Sequence, residues 1–146
     1  MDEIRIYDSA SGTVRSVARC QLTDDEWRRR LAPEAFRVAR EGGTEPPFTG
    51  KYHAWKATGV YRCVCCGTDL FLSEAKFDSG TGWPSFGAPV SDLNITTQSD
   101  RRYGIERKEV LCSRCDAHLG HVFDDGPPPI GLRYCINSAS LVFTRR

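Results

Sequence analysis

The apolar positions of this chain fall into two regimes. Before residue 44 they are spaced as on short helices. Beyond it they gather in brief runs of Tyr, Phe, Val and Trp between glycines and prolines. A first helix is predicted to start at Thr23. Thr23 and Glu26 have the spacing of a capping box, in which each side chain satisfies a backbone N–H that the helix leaves unpaired. Leu22 and Trp27 hold the two staple positions around that cap. Pro33 is expected to begin a second helix, since proline is tolerated in a first turn, and Gly42-Gly43 to end it. Phe36 should pack inward from that helix. Further upstream, Ile4 and Ile6 alternate with polar residues before the turn-like Ser9–Gly12. A short hairpin and a loosely attached arm both fit that pattern.

Downstream, Val60–Cys63, Asp69–Phe71, Tyr103–Glu106, Glu109–Cys112 and Ser140–Phe143 read as strands. Few of the gaps between them could hold a helix, so antiparallel sheets are expected rather than parallel ones. Asp124–Pro129 reads as a rigid loop. The organisation expected is an N-terminal arm over residues 1–22 and one domain over 23–146. That domain carries helices over 23–41 and a β core over 44–146.

Composition changes this picture little. The chain has 146 residues, 40% hydrophobic and 27% charged, which suits a single globular domain. Twenty basic and 19 acidic residues leave a formal charge of +1, so neither nucleic acid nor a membrane surface is an expected partner. No apolar run approaches the roughly 18 residues that span a bilayer. The start, Met1-Asp2-Glu3-Ile4-Arg5, does not read as a secretory signal, and the cytoplasm is the expected location.

The seven cysteines change it more. Cys63 and Cys66, and Cys112 and Cys115, form two Cys-x-x-Cys turns. Brought together, two such turns give the four-sulfur tetrahedral shell that structural zinc prefers. One zinc ion would then tie two distant hairpins and stabilise the fold. Cys65, between two of the expected ligands, reads as a spectator thiol. Cys135 has no Cys-x-x-Cys partner. By itself a strand cysteine is usually an inert small hydrophobe. Here His118 and His121 follow the second knuckle and are not needed by a metal that already has four sulfurs. Trp83 sits in a glycine-rich turn, where a core role and a pocket role are both open.

Gly43–Gly50, Gly82-Trp83-Pro84-Ser85-Phe86, His118-Leu119-Gly120-His121-Val122-Phe123 and Arg133–Leu141 together resemble the type B peptide-methionine (R)-S-oxide reductases, the MsrB family. The resemblance runs from about Gly43 to Phe143. It implies a mainly β fold of two antiparallel sheets with short N-terminal helices and a structural zinc site, a β-tent. It also implies reduction of the R epimer of methionine sulfoxide in proteins and peptides. Residue by residue, it makes Cys135 the nucleophile and Trp83 the indole against the substrate's S-methyl group. His118, His121 and Asn137 become polar groups around the sulfoxide oxygen and the thiol. Cys63, Cys66, Cys112 and Cys115 become the zinc ligands.

The chemistry asks for such parts. The attacking sulfur must be a thiolate, and the departing oxygen needs a proton. Cys135 would be left as a sulfenic acid. In many relatives a resolving cysteine lies two residues before the Trp-Pro-Ser-Phe run, but Thr81 stands there in this chain. Cys20, on the N-terminal arm, is therefore the expected resolving thiol, with thioredoxin opening the disulfide. Cys65, or direct attack by a reductant, are the alternatives. A monomer is expected. The main rival reading is a non-catalytic zinc module of the same fold. Lesser ones are a nucleic-acid-binding ribbon using Arg101-Arg102, Arg107-Lys108 and Arg145-Arg146, and a thiol-disulfide oxidoreductase using one Cys-x-x-Cys.

Overall fold

A computed structural model describes residues 2–146. Its elements are strands β1 (Glu3–Asp8) and β2 (Thr13–Ala18), helices α1 (Asp24–Arg30) and α2 (Pro33–Ala39), and then nine strands. These are β3 (Gly59–Cys63), β4 (Asp69–Leu72), β5 (Lys76–Phe77), β6 (Ser85–Phe86), β7 (Ile95–Asp100), β8 (Arg107–Cys112), β9 (His118–Phe123), β10 (Arg133–Ile136) and β11 (Leu141–Arg145). Every pairing is antiparallel. One sheet has six strands in the order β5-β6-β10-β9-β8-β7, and a second has three in the order β11-β3-β4. β1 and β2 form a separate hairpin. No helix among the described residues is long and apolar enough to cross a membrane.

The predicted cap forms in full. Thr23 accepts from the Glu26 N–H, and Glu26 reaches back to the Thr23 N–H. Pro33 opens the second helix as expected. One predicted strand is absent: Arg102–Gly104 is a tight 3-10 turn with Tyr103 at φ 61° and almost wholly exposed. The apolar residues at Tyr103 and Ile105 mimic a strand, but both face outward, and the strand lies earlier, at β7. β7 escaped notice because its centre, Thr96–Ser99, is polar and exposed.

Aromatic rings join the two larger sheets. Phe71 of β4 stacks on Phe86 of β6 with centroids 4.4 Å apart, and Tyr61 of β3 meets Phe86 edge-on at 5.1 Å. β10 obeys a period of two: Tyr134 and Ile136 are buried, whereas Arg133 and Cys135 are half-buried on the opposite face. The core thus fixes which way Cys135 points.

The N-terminal residues form a docked hairpin. Asn94, fully buried, accepts from the Tyr7 N–H at 2.8 Å and donates to the carbonyls of Tyr7 and Asp69 at 2.9 and 2.7 Å. One amide therefore does the work of a neighbouring strand. Asn94→Ala should leave these backbone groups unpaired and cost roughly 2–3 kcal/mol. The check is a denaturant titration with hydrogen exchange. Faster exchange confined to residues 3–18 and the Asn94 turn is the expected result.

Candidate active site and metal centre

The two Cys-x-x-Cys turns close the β3–β4 and β8–β9 hairpins. They bring Cys63, Cys66, Cys112 and Cys115 together with all four sulfurs within 4.8 Å of one another. Cys63 lies 3.6 Å from Cys115, and Cys66 lies 3.5 Å from Cys112. Sulfurs about 2.3 Å from a tetrahedral zinc stand just under 4 Å apart, so the set fits one zinc ion. All seven cysteines are free thiols here.

The helices guard this centre, which the sequence did not reveal. Arg40, at the end of α2, donates to the Cys115 carbonyl at 3.0 Å and approaches its sulfur at 3.7 Å. The same guanidinium lies over the Trp27 ring. Cys20 is here too. Its N–H donates to the Arg114 carbonyl at 3.0 Å, and its thiol is pushed up by burial and by nearby Cys66 and Cys115. Cys65 is half-buried in the same region. The structure therefore gathers Cys20 and Cys65 at the metal knuckle and brings neither to Cys135.

Cys135 opens into a cleft of about 200 Å³ lined by Thr81, Trp83, Arg107, His121, Arg133 and Asn137, among others. His121 stands directly across from Cys135 on β9. A regular strand would send His118 and His121, three residues apart, to opposite faces. A bulge prevents this. Val110 pairs with Gly120 and Leu111 with His118, so Leu119 is the extra residue. His118 and His121 then oppose Leu111 and Glu109, which share a face. The two rings end 5.5 Å apart. Gly120 is required as well, since any side chain there would strike the Cys135 carbonyl.

Each imidazole has a carboxylate. His118 Nδ1 meets Glu109 at 2.5 Å, and His121 Nε2 meets Asp100 at 2.8 Å. Burial pushes both imidazoles below the usual histidine range, and the carboxylates oppose that shift. Asp100 is held well below the usual carboxylate range, first by Arg102 and then by His121. With Nε2–H given to Asp100, His121 Nδ1 has no partner among the described residues, and the ring lines the cleft. His118 does not line the cleft. It lies behind His121, buried, with Nε2 unpartnered.

Burial also pushes the Cys135 thiol up, while Arg133 and the Thr81 hydroxyl pull it back. Trp83 is pinned by its indole N–H, which donates to the Glu45 carbonyl at 2.9 Å. The Glu45 N–H donates to Asn137 Oδ1 at 3.1 Å, and Asn137 Nδ2 donates to the Leu119 carbonyl. Glu45, Asp100, Arg107, Glu109 and Arg133 were not singled out as site residues from the sequence. Arg133 could have been, since a period of two puts it beside Cys135. Arg107, which the sequence offers only to a basic strip with Lys108, enters the cleft and lies 3.5 Å from Asp100.

Fold and cleft together define a β protein with a four-thiol metal knuckle and one further thiol exposed to a small aromatic pocket. Residues 31–145 match the SelR domain. Peptide methionine sulfoxide reductase MsrB of Thioalkalivibrio sulfidiphilus is 59% identical over 123 residues, covering 84% of this chain and 90% of that protein. The proteins of the same name from Hahella chejuensis and Pseudomonas fluorescens are 60% and 58% identical, covering 86% and 84% of this chain and 90% and 94% of their own lengths. The chain belongs to this SelR-domain, MsrB family.

The metal centre carries its own test. Cys112→Ser should abolish zinc binding, read as zinc released per chain on denaturation. A structural zinc is worth about 10 kcal/mol or more, comparable to a whole domain's stability. Cooperative thermal unfolding should therefore be lost as well.

Proposed function

We propose that this protein reduces the R epimer of methionine sulfoxide in proteins and peptides, with Cys135 as nucleophile. The observation that carries the reading is the cleft itself. It sets one thiol between an indole wall, a guanidinium and an imidazole held by a carboxylate.

Trp83 offers a flat apolar surface for the S-methyl group, and its indole cannot turn away while Glu45 holds it. With the methyl fixed there and the main chain leaving through the mouth, only one epimer directs its oxygen at His121. Arg133 and Thr81 favour the Cys135 thiolate. The Cys135 thiolate attacks the sulfoxide sulfur, and the oxygen passes to Cys135. The S–O bond to methionine breaks, and one to Cys135 forms. The substrate sulfur gains two electrons, and the Cys135 sulfur loses two. His121, unprotonated at Nδ1 while its Nε2–H is given to Asp100, takes the Cys135 thiol proton and returns it to the departing oxygen, which completes the sulfenic acid. His118 acts as a positioning residue behind His121, and Asn137 braces the strands beneath the thiol.

An incoming thiol then attacks the sulfenic acid, releasing water and forming a disulfide. A second thiol opens it, and a dithiol protein such as thioredoxin supplies both. Cys20 could act as the first only if the segment holding it left its dock on Arg114. We therefore favour direct attack by the reductant.

Separate R and S epimers of a methionine sulfoxide peptide, offered with dithiothreitol, test the main reading. Reduction of the R epimer alone, lost in Cys135→Ser, is expected. No reduction of either epimer by folded, zinc-loaded protein would leave the scaffold as a binding module. For resolution, Cys20→Ser should keep thioredoxin-driven turnover close to wild type. Loss of that turnover with the dithiothreitol-driven rate intact would assign Cys20 as the resolving thiol.

A further inference from the structure

A second cavity adjoins the Cys135 cleft. It measures about 370 Å³ and is lined by Phe48, His53, Trp55, Lys56, Lys76 and Phe77, among others. The two spaces share one wall. Thr81 and Trp83 face the cleft, and Gly82 between them accepts from the Phe48 N–H at 2.8 Å. Gly82 has φ 93°, and any side chain there would run into Phe48. The sheet also ties the two together. Phe77 pairs with Ser85, and Ser85 with Cys135, in one row across β5, β6 and β10. Two strand spacings separate Phe77 from Cys135 by about 10 Å, which an extended peptide covers in about three residues.

The lining of this groove carries two lysines against one carboxylate. Lys56 is exposed, Lys76 is half-buried, and Lys51 lies over the Trp55 ring. None of these lysines is in an ion pair among the described residues. Lys76 donates to the His53 carbonyl, and burial and Lys56 push its ammonium below the usual lysine range. The Trp55 indole N–H is buried and has no acceptor among the described residues. Among the described residues that line it, Asp78 is the carboxylate; it accepts from the Gly80 N–H and partly opposes the shift of Lys76. The groove therefore offers aromatic walls and ammonium groups with no carboxylate in an ion pair with them.

We propose that this groove is a secondary subsite for an extended polypeptide substrate, taking a carboxylate side chain about three residues from the methionine sulfoxide. The inference rests on Cys135 being the reacting thiol. Peptides with Glu, Gln or Lys three residues to either side of the sulfoxide test it, beside N-acetyl-methionine sulfoxide as a flank-free substrate. For one of the two sides, kcat/KM should be about three-fold higher with Glu than with Gln, as an exposed ion pair would give. Salt should erode that preference. Lys56→Glu should reverse it toward the Lys peptide and leave the flank-free substrate unchanged. Equal kcat/KM for the three peptides, or a preference that survives Lys56→Glu, would overturn the subsite while the Cys135 reading stands. Failure to reduce even the flank-free substrate would overturn both.

Discussion

Four sulfurs from two hairpin turns set the frame on which the site hangs. Cys63 and Cys66 belong to the three-stranded sheet, and Cys112 and Cys115 to the six-stranded one. Their convergence locks one sheet against the other at the end where β9 begins. His118 follows Cys115 after only two residues. The metal knuckle therefore fixes where the histidine strand starts, and β9 in turn fixes what stands opposite Cys135. The metal knuckle bears on the cleft through position, since Cys135 lies outside the four-sulfur set. Arg40 and Trp27 bring the helices into the same arrangement, which gives α1 and α2 a purpose beyond covering the core.

At Cys135 and the two imidazoles, burial and nearby partners oppose one another. Burial disfavours charge on Cys135 and on both imidazoles. Arg133 and Thr81 answer for the thiol, and Asp100 and Glu109 for the rings. Charges with such partners interact more strongly in a part-buried cleft than in open water. Asp100 is the hub of this set. It receives Arg102, His121 and the more distant Arg107, so the orientation of His121 depends on a turn that touches the cleft nowhere else.

Much of this was legible in the sequence, for reasons that differ from part to part. The helix cap was readable because its bonds are local: Thr23 and Glu26 need no other element. The metal ligands were readable because a tight turn fixes the spacing of two thiols. Cys135, Trp83 and Asn137 emerged through resemblance, and the structure brings them to one cleft with His121. What escaped depends on distant parts of the chain. Glu45 serves the site through its backbone N–H and carbonyl, so its side-chain chemistry carried no signal. Tyr103 and Ile105 suggested a strand because apolar residues were assumed to turn inward, whereas both are exposed. The site of Cys20 is set by Arg114, far along the chain, and local sequence could not convey it.

The extra residue at Leu119 has a consequence for anyone who would transplant this constellation. His-x-x-His looks like a helical spacing, and on a helix it would present both rings to one side. On an ideal strand the same letters would split the pair across the sheet. The motif carries its meaning only together with its irregularity. A designer working on a regular β scaffold should copy the shared face rather than the letters, and write His-x-His.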